Sequence, residues 1–132
     1  MIDLSGRSAV VTGGARGIGR AIVRTLAQGG ADVIIADMRC REAELAAQEI
    51  SKETGRRVEQ VCTDVTQLGE LVRLRDEAIR RVGKIDILVN NAGWDRLTPF
   101  LKTTPELWDK VIAINYRGVI HEIGRASCSE RV

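Results

Sequence analysis

The 132-residue sequence is short of several things, and each shortage excludes a class of protein. It has one histidine, His121, and no serine or aspartate stands beside it in a pattern suited to nucleophilic chemistry. Its three cysteines, Cys40, Cys62 and Cys128, are odd in number and share no CxxC spacing. They read as reduced thiols of a cytoplasmic protein rather than a disulfide frame, and no metal site is expected. No apolar run approaches the roughly 20 residues that span a bilayer. The start, "MIDLSGRSAVV", carries no charged stretch followed by an apolar one, so no secretory signal and no membrane association are expected. A net charge of +2, with bases scattered among acids, argues against a nucleic-acid partner.

What is present is a soluble-protein balance, 44% hydrophobic and 29% charged, on a chain long enough for one core. Short apolar runs alternate with helical patterns. Strands are expected at 8–12 ("SAVVT"), 32–37 ("DVIIAD"), 56–64 and 84–93, the first two buried on both faces. Helices are expected at 17–30, 41–55, 67–83 and 104–120. In the first, Ile18, Ala21, Ile22, Thr25 and Leu26 form the apolar stripe; in the last, Thr104 is the N-cap and Pro105 the first helical residue. This alternation predicts βαβ units, and hence an α/β fold. Its form is a doubly wound parallel sheet of order 3-2-1-4 with helices on both faces.

The stretch "VVTGGARGIGRAI" puts Gly13, Gly14, Gly17 and Gly19 between the first strand and the first helix. A turn of this kind lets backbone approach a pyrophosphate, and the helix N-terminus offers it free N–H groups. The same glycines also fit a purely structural turn. Asp37 ends the second strand about 20 residues on, where an acid can accept both ribose hydroxyls of an adenosine. It also fits a solvated strand-end carboxylate. Its charge favours NAD, whereas Arg16, Arg39 and Arg41 could pair with the extra phosphate of NADP.

Four segments together resemble the short-chain dehydrogenase/reductase family: "TGGARGIG" (12–19), Asp64-Val65 after the third strand, "NNAG" (90–93) after the fourth, and "IAIN" ending at Asn115. They stand in the family's order, over roughly residues 5–121. The resemblance implies a Rossmann domain over 1–121 that stops after the fourth strand and its helix. It also implies an NAD cofactor, with NADP as the alternative. Gly13, Gly17 and Gly19 would then line the pyrophosphate, with Arg16 and Ile18 also cofactor-binding. Asp37 would hold the ribose, Asp64 and Val65 would flank the adenine, and Asn91, Ala92 and Gly93 would border the cofactor, with Asn90 supporting the sheet. Asn115 would be the asparagine of the family's proton relay, although alone it also fits a helix-bending polar residue. The implied reaction is hydride transfer between nicotinamide and an alcohol or carbonyl carbon of a small-molecule substrate. A methyltransferase with a similar glycine turn fits NNAG and GIG poorly.

The family's serine and Tyr-x-x-x-Lys are missing. Tyr116 is the only tyrosine, Ile120 follows four residues later, and no lysine occurs after Lys110. The chain is therefore expected to be inactive alone, as part of a parent that forms a homodimer or homotetramer, with Trp108 in the subunit interface. The stretch after the NNAG signature, with Trp94, Asp95, Arg96, Pro99, Phe100 and Lys102, looks like that of members acting on hydroxyacyl thioesters or 3-oxoacyl-carrier-protein substrates. The last residues, 122–132 ("EIGRASCSERV"), have no apolar rhythm and resemble one reading frame of a sequencing adapter, differing at Ser129. They are expected to be a non-native tail.

Overall fold

A computed structural model describes residues 2–121; the expected tail at 122–132, with Cys128, lies outside the described residues. The elements are β1 (Ser8–Thr12), α1 (Gly17–Gln28), β2 (Asp32–Asp37), α2 (Cys40–Thr54), β3 (Val58–Cys62), α3 (Leu68–Val82), β4 (Ile87–Val89) and α4 (Pro105–Ile112). All strand pairs are parallel, in the order β3-β2-β1-β4. This is the expected doubly wound, Rossmann-like arrangement.

The two central strands are apolar along their length because both faces are covered, as a parallel sheet requires. One face packs Val11, Val33 and Ile35 against α1 and α2 through Val23, Ala27, Ala43, Ala46 and Ile50. The other packs Val10, Ile34 and Ala36 against α3 through Leu71, Leu74 and Ala78. Gly55 ends α2 in the left-handed region at φ 70°, and Gly83 ends α3 at φ 84°. Thr104 caps α4 by accepting from the Leu107 N–H at 3.3 Å, and Pro105 follows it.

Three expectations are corrected. The face of α1 against the sheet is Gly19, Val23 and Ala27, with Ile22 and Leu26 beside it, whereas Ile18 is 75% exposed. Small side chains let the helix axis come close to the strands, and closeness rather than hydrophobicity selects the face. Second, within the 84–93 stretch, expected as a strand running into a polar turn, β4 keeps only three ladder residues, and the turn begins with the Asn91 N–H on the Val89 carbonyl at 3.1 Å. Third, Cys40 and Cys62, which share no motif spacing, are brought together: their sulfurs are in contact, with Cα atoms 5.0 Å apart. The β2–β3 pairing, which sets Asp37 opposite Cys62, brings together two residues that are 22 apart in sequence.

Candidate functional site

The C-terminal ends of all four strands open on one cavity of about 700 Å³. Strand ends at a reversal of strand order form the usual crevice of such sheets. Of the residues singled out in the sequence, Gly13, Arg16, Gly17, Ile18, Gly19, Asp37, Asp64, Val65, Asn91, Ala92 and Gly93 all line it.

The glycine turn is held by its neighbours rather than by its own length. Gly13 sits at φ 68°, and a Cβ there would stand 2.9 Å from the Ala92 Cα. A Cβ at Gly19 would overlap the Gly13 carbonyl. The Asn91 amide donates to that same carbonyl at 3.0 Å. Thr12, 1% exposed, gathers the second loop: its hydroxyl accepts the N–H groups of Asn91 at 3.2 Å and Ala92 at 3.1 Å. The turn after β1 and the turn after β4 are thus one hydrogen-bonded unit.

The N-terminus of α1 has no side-chain cap and no acid in its first turn. By contrast, α2 and α3 carry Glu42 and Glu70 there, and α4 has both Thr104 and Glu106. The N–H groups that open α1 are left for a ligand, at the positive end of the helix dipole. A Cβ on Gly17 would meet nothing within 4 Å, so the space in front of this turn is open.

Asp37, 9% exposed, ties the end of β2 to the glycine turn by accepting from Ala15 N–H at 3.1 Å and Arg39 N–H at 2.9 Å. Each oxygen keeps a second lone pair. Asp64 accepts from the Thr66 N–H at 2.9 Å and hydroxyl at 2.7 Å through Oδ1 alone, leaving Oδ2 without a partner among the described residues. Both carboxylates therefore retain acceptors on the cavity they line.

Asn115 does not line the cavity. It lies in a π-helical turn, Ala113–Arg117, where the Gly118 N–H bonds the Ala113 carbonyl five residues back; residues 118–121 resume the α-helix. Its carboxamide clamps the Trp94 backbone, accepting from its N–H at 2.9 Å and donating to its carbonyl at 2.8 Å. Lys110 stands over the Trp94 ring, 3.8 Å from its centroid. Sequence reasoning missed Thr12, Met38, Thr63, Lys110 and Ile114. The helical spacing of Lys110, Ala113 and Ile114, one turn apart across the end of α4 and the start of the π-helical turn, was the signal for the last face.

Comparison with known proteins decides the family, since the short chain dehydrogenase family profile matches residues 7–127. The chain belongs to the short-chain dehydrogenase family. It is 34% identical over 124 residues to 3beta-hydroxysteroid dehydrogenase 2 of Eggerthella lenta, covering 93% of this chain and 47% of that one. It is 40% identical over 117 residues to a sorbitol dehydrogenase of Cereibacter sphaeroides, covering 89% and 44%. Among solved structures, a 7 alpha-hydroxysteroid dehydrogenase in complex with NADH and 7-oxo glycochenodeoxycholic acid matches at TM-score 0.90 and 32% identity. That match covers 96% of this chain and 48% of the other. This short-chain dehydrogenase sequence spans about half the length of the curated relatives it matches.

Proposed function

We propose that these residues are the dinucleotide-binding half of an NAD-dependent oxidoreductase acting on an alcohol or carbonyl substrate. We propose also that this chain by itself binds the dinucleotide without turning substrate over. One observation carries the reading: an uncapped helix start behind a glycine turn that Asn91 and Thr12 lock in place, with Asp37 closing the far side. The residues fit the group. The pyrophosphate would lie on the N–H groups that open α1. The ribose hydroxyls would donate to the second lone pairs of Asp37. The adenine would lie between Val65 and Ile114, its amino group donating to Asp64.

The bound nicotinamide supplies the hydride chemistry. What the chain contributes is position. Gly13, Gly17 and Gly19 admit the phosphates, the Asn91–Gly13 bond keeps the turn from opening, and Asn115 holds Trp94 and the loop that begins there. The role of Asn115 in a proton relay belongs to the same proposal. The proton-transferring tyrosine with its lysine, and the serine that holds the substrate oxygen, have no counterpart in these 132 residues. A complete catalytic set would need further chain.

Asp37 supports NAD, because a 2′-phosphate would stand against a carboxylate with little water to screen it. Arg39 lies 3.9 Å from Glu42, which turns part of its charge toward α2. The exposed apolar side chains Leu97, Phe100, Leu101, Trp108 and Ile112 support self-association of the whole protein as a dimer or tetramer. Titration of the chain with NADH, followed by nicotinamide fluorescence, tests the reading. Saturable binding without oxidation of NADH by added ketones is expected, and absence of binding overturns it.

A further inference from the structure

One pair of nucleophilic side chains stands beside the cavity without lining it. Cys40 is the first residue of α2, and Cys62 is the last of β3. Their sulfurs are in contact and their Cα atoms lie 5.0 Å apart, inside the span a disulfide bridges without moving the backbone. Both residues are half-buried, within reach of a small thiol.

Their neighbours in the chain give the pair its meaning. The three residues before Cys40 are Asp37, Met38 and Arg39, and the three after Cys62 are Thr63, Asp64 and Val65; all six line the cavity. At this point the β2–β3 ladder is ending. Asp37 faces Cys62 in register, and the last rung is the Thr63 N–H on the Asp37 carbonyl at 3.0 Å. Beyond that rung, among the described residues, the sulfur pair is the tie left between the ribose-side turn and the adenine-side loop. The Cys40 sulfur also lies 3.3 Å from the Met38 carbonyl, to which it donates when it is a thiol.

We propose that Cys40 and Cys62 form a redox-active pair that sets the affinity of the adenosine pocket, tight when joined and weaker when reduced. The inference rests on the nucleotide-binding reading above. The oxidant is a small disulfide such as oxidised glutathione. The thiolate of one cysteine attacks a glutathione sulfur, forming a mixed disulfide and expelling one glutathione thiolate. The second cysteine then displaces the other glutathione and closes the ring. Two protein thiols are oxidised, one glutathione disulfide is reduced, and the two protons end on the two glutathione thiols. The joined pair holds both pocket segments at their binding separation, so less ordering is left for the nucleotide to impose.

The full chain is equilibrated in oxidised or reduced glutathione, free thiols are trapped by alkylation, and peptide mapping reports the Cys40–Cys62 linkage. NADH is then titrated into each state. The expected result is a Kd about fivefold weaker in the reduced chain. By reciprocity, saturating NADH lowers the midpoint potential of the pair by about 20 mV. Cys40→Ser and Cys62→Ser chains bind NADH like the reduced form under both conditions. Equal affinity in the two states overturns the proposal, as does failure of the linkage to form. If the linkage forms but NADH binds in neither state, the nucleotide reading has failed and this inference falls with it.

Discussion

The Asn91 carboxamide donates to the Gly13 carbonyl at 3.0 Å, joining positions 78 residues apart in the chain. That bond ties the glycine turn to the loop after β4, and Gly19 lies under both partners: a Cβ on it would overlap the Gly13 carbonyl and stand 2.5 Å from the Asn91 amide nitrogen. Gly19→Ala is therefore expected to push the turn open. Overpacking of this kind costs about 1–3 kcal/mol, and here the displaced atoms are backbone that cannot rotate away. Thermal unfolding should show the loss, and NADH titration should show binding weakened more than tenfold. Unchanged binding would mean the turn does not form the phosphate cradle.

Asn91→Ala removes the donor without adding bulk. Gly13 loses its partner on a half-buried carbonyl, which costs about 1–3 kcal/mol if water does not replace it. The Thr12 bonds to the N–H groups of Asn91 and Ala92 remain, so the chain should still fold. NADH affinity should fall less than for Gly19→Ala, and a calorimetric comparison of the two variants checks the order.

On the proposed reading, Asp37 sets the choice between dinucleotides. Asp37→Asn keeps the shape, but it sets an amide where two backbone N–H groups now point at a carboxylate. Affinity for NADH should drop about tenfold, roughly 1.4 kcal/mol. Affinity for NADPH should fall less or rise, because Arg16 and Arg39 then meet the 2′-phosphate without an opposing charge. The ratio of the two Kd values is the measurement.

At the opposite end of the sheet, burial pushes the Asp86 carboxyl up. The Ser8 N–H at 2.9 Å, Lys84 at 3.3 Å and Arg7 at 3.6 Å outweigh it and hold it below its ordinary value of 3.8. A carboxyl lowered by folding stabilises the fold above its unfolded value and loses that contribution as pH falls through the folded one. Asp86→Asn should therefore be less stable than the parent chain near neutrality, by about 1 kcal/mol. The two should converge below about pH 3.8 in denaturant titrations run across pH.

Much of this was legible in the sequence, and the parts that were not share a cause. The buried strands, the glycine turn and the order of motifs are local patterns, and they fixed the topology and about two thirds of the cavity lining. The buried face of α1 was misassigned because the pattern weighs Ile18 above Gly19, whereas close helix–sheet approach favours the smaller residue. The Cys40–Cys62 pair depends on β2–β3 register, and the contact of Lys110 with Trp94 depends on a loop path. Neither leaves a mark in residue spacing. The π-helical turn around Asn115 is likewise a tertiary outcome, since the local sequence fits an ordinary helix.

That turn supports a last prediction. Asn115 both accepts from the Trp94 N–H and donates to its carbonyl, so only a side chain carrying both functions can keep the clamp. Asn115→Ala loses two exposed hydrogen bonds, a cost of about 1 kcal/mol. Asn115→Asp should be worse near neutrality despite being closer in shape, because it places a carboxylate oxygen against the Trp94 carbonyl where the amide stood at 2.8 Å. Protonating that carboxyl restores a donor, so the aspartate variant should recover relative to the alanine variant as pH falls below about 4. Thermal unfolding of both across pH checks the crossover. An aspartate variant that stays the more stable at pH 7 would show that the clamp tolerates the loss of its donor.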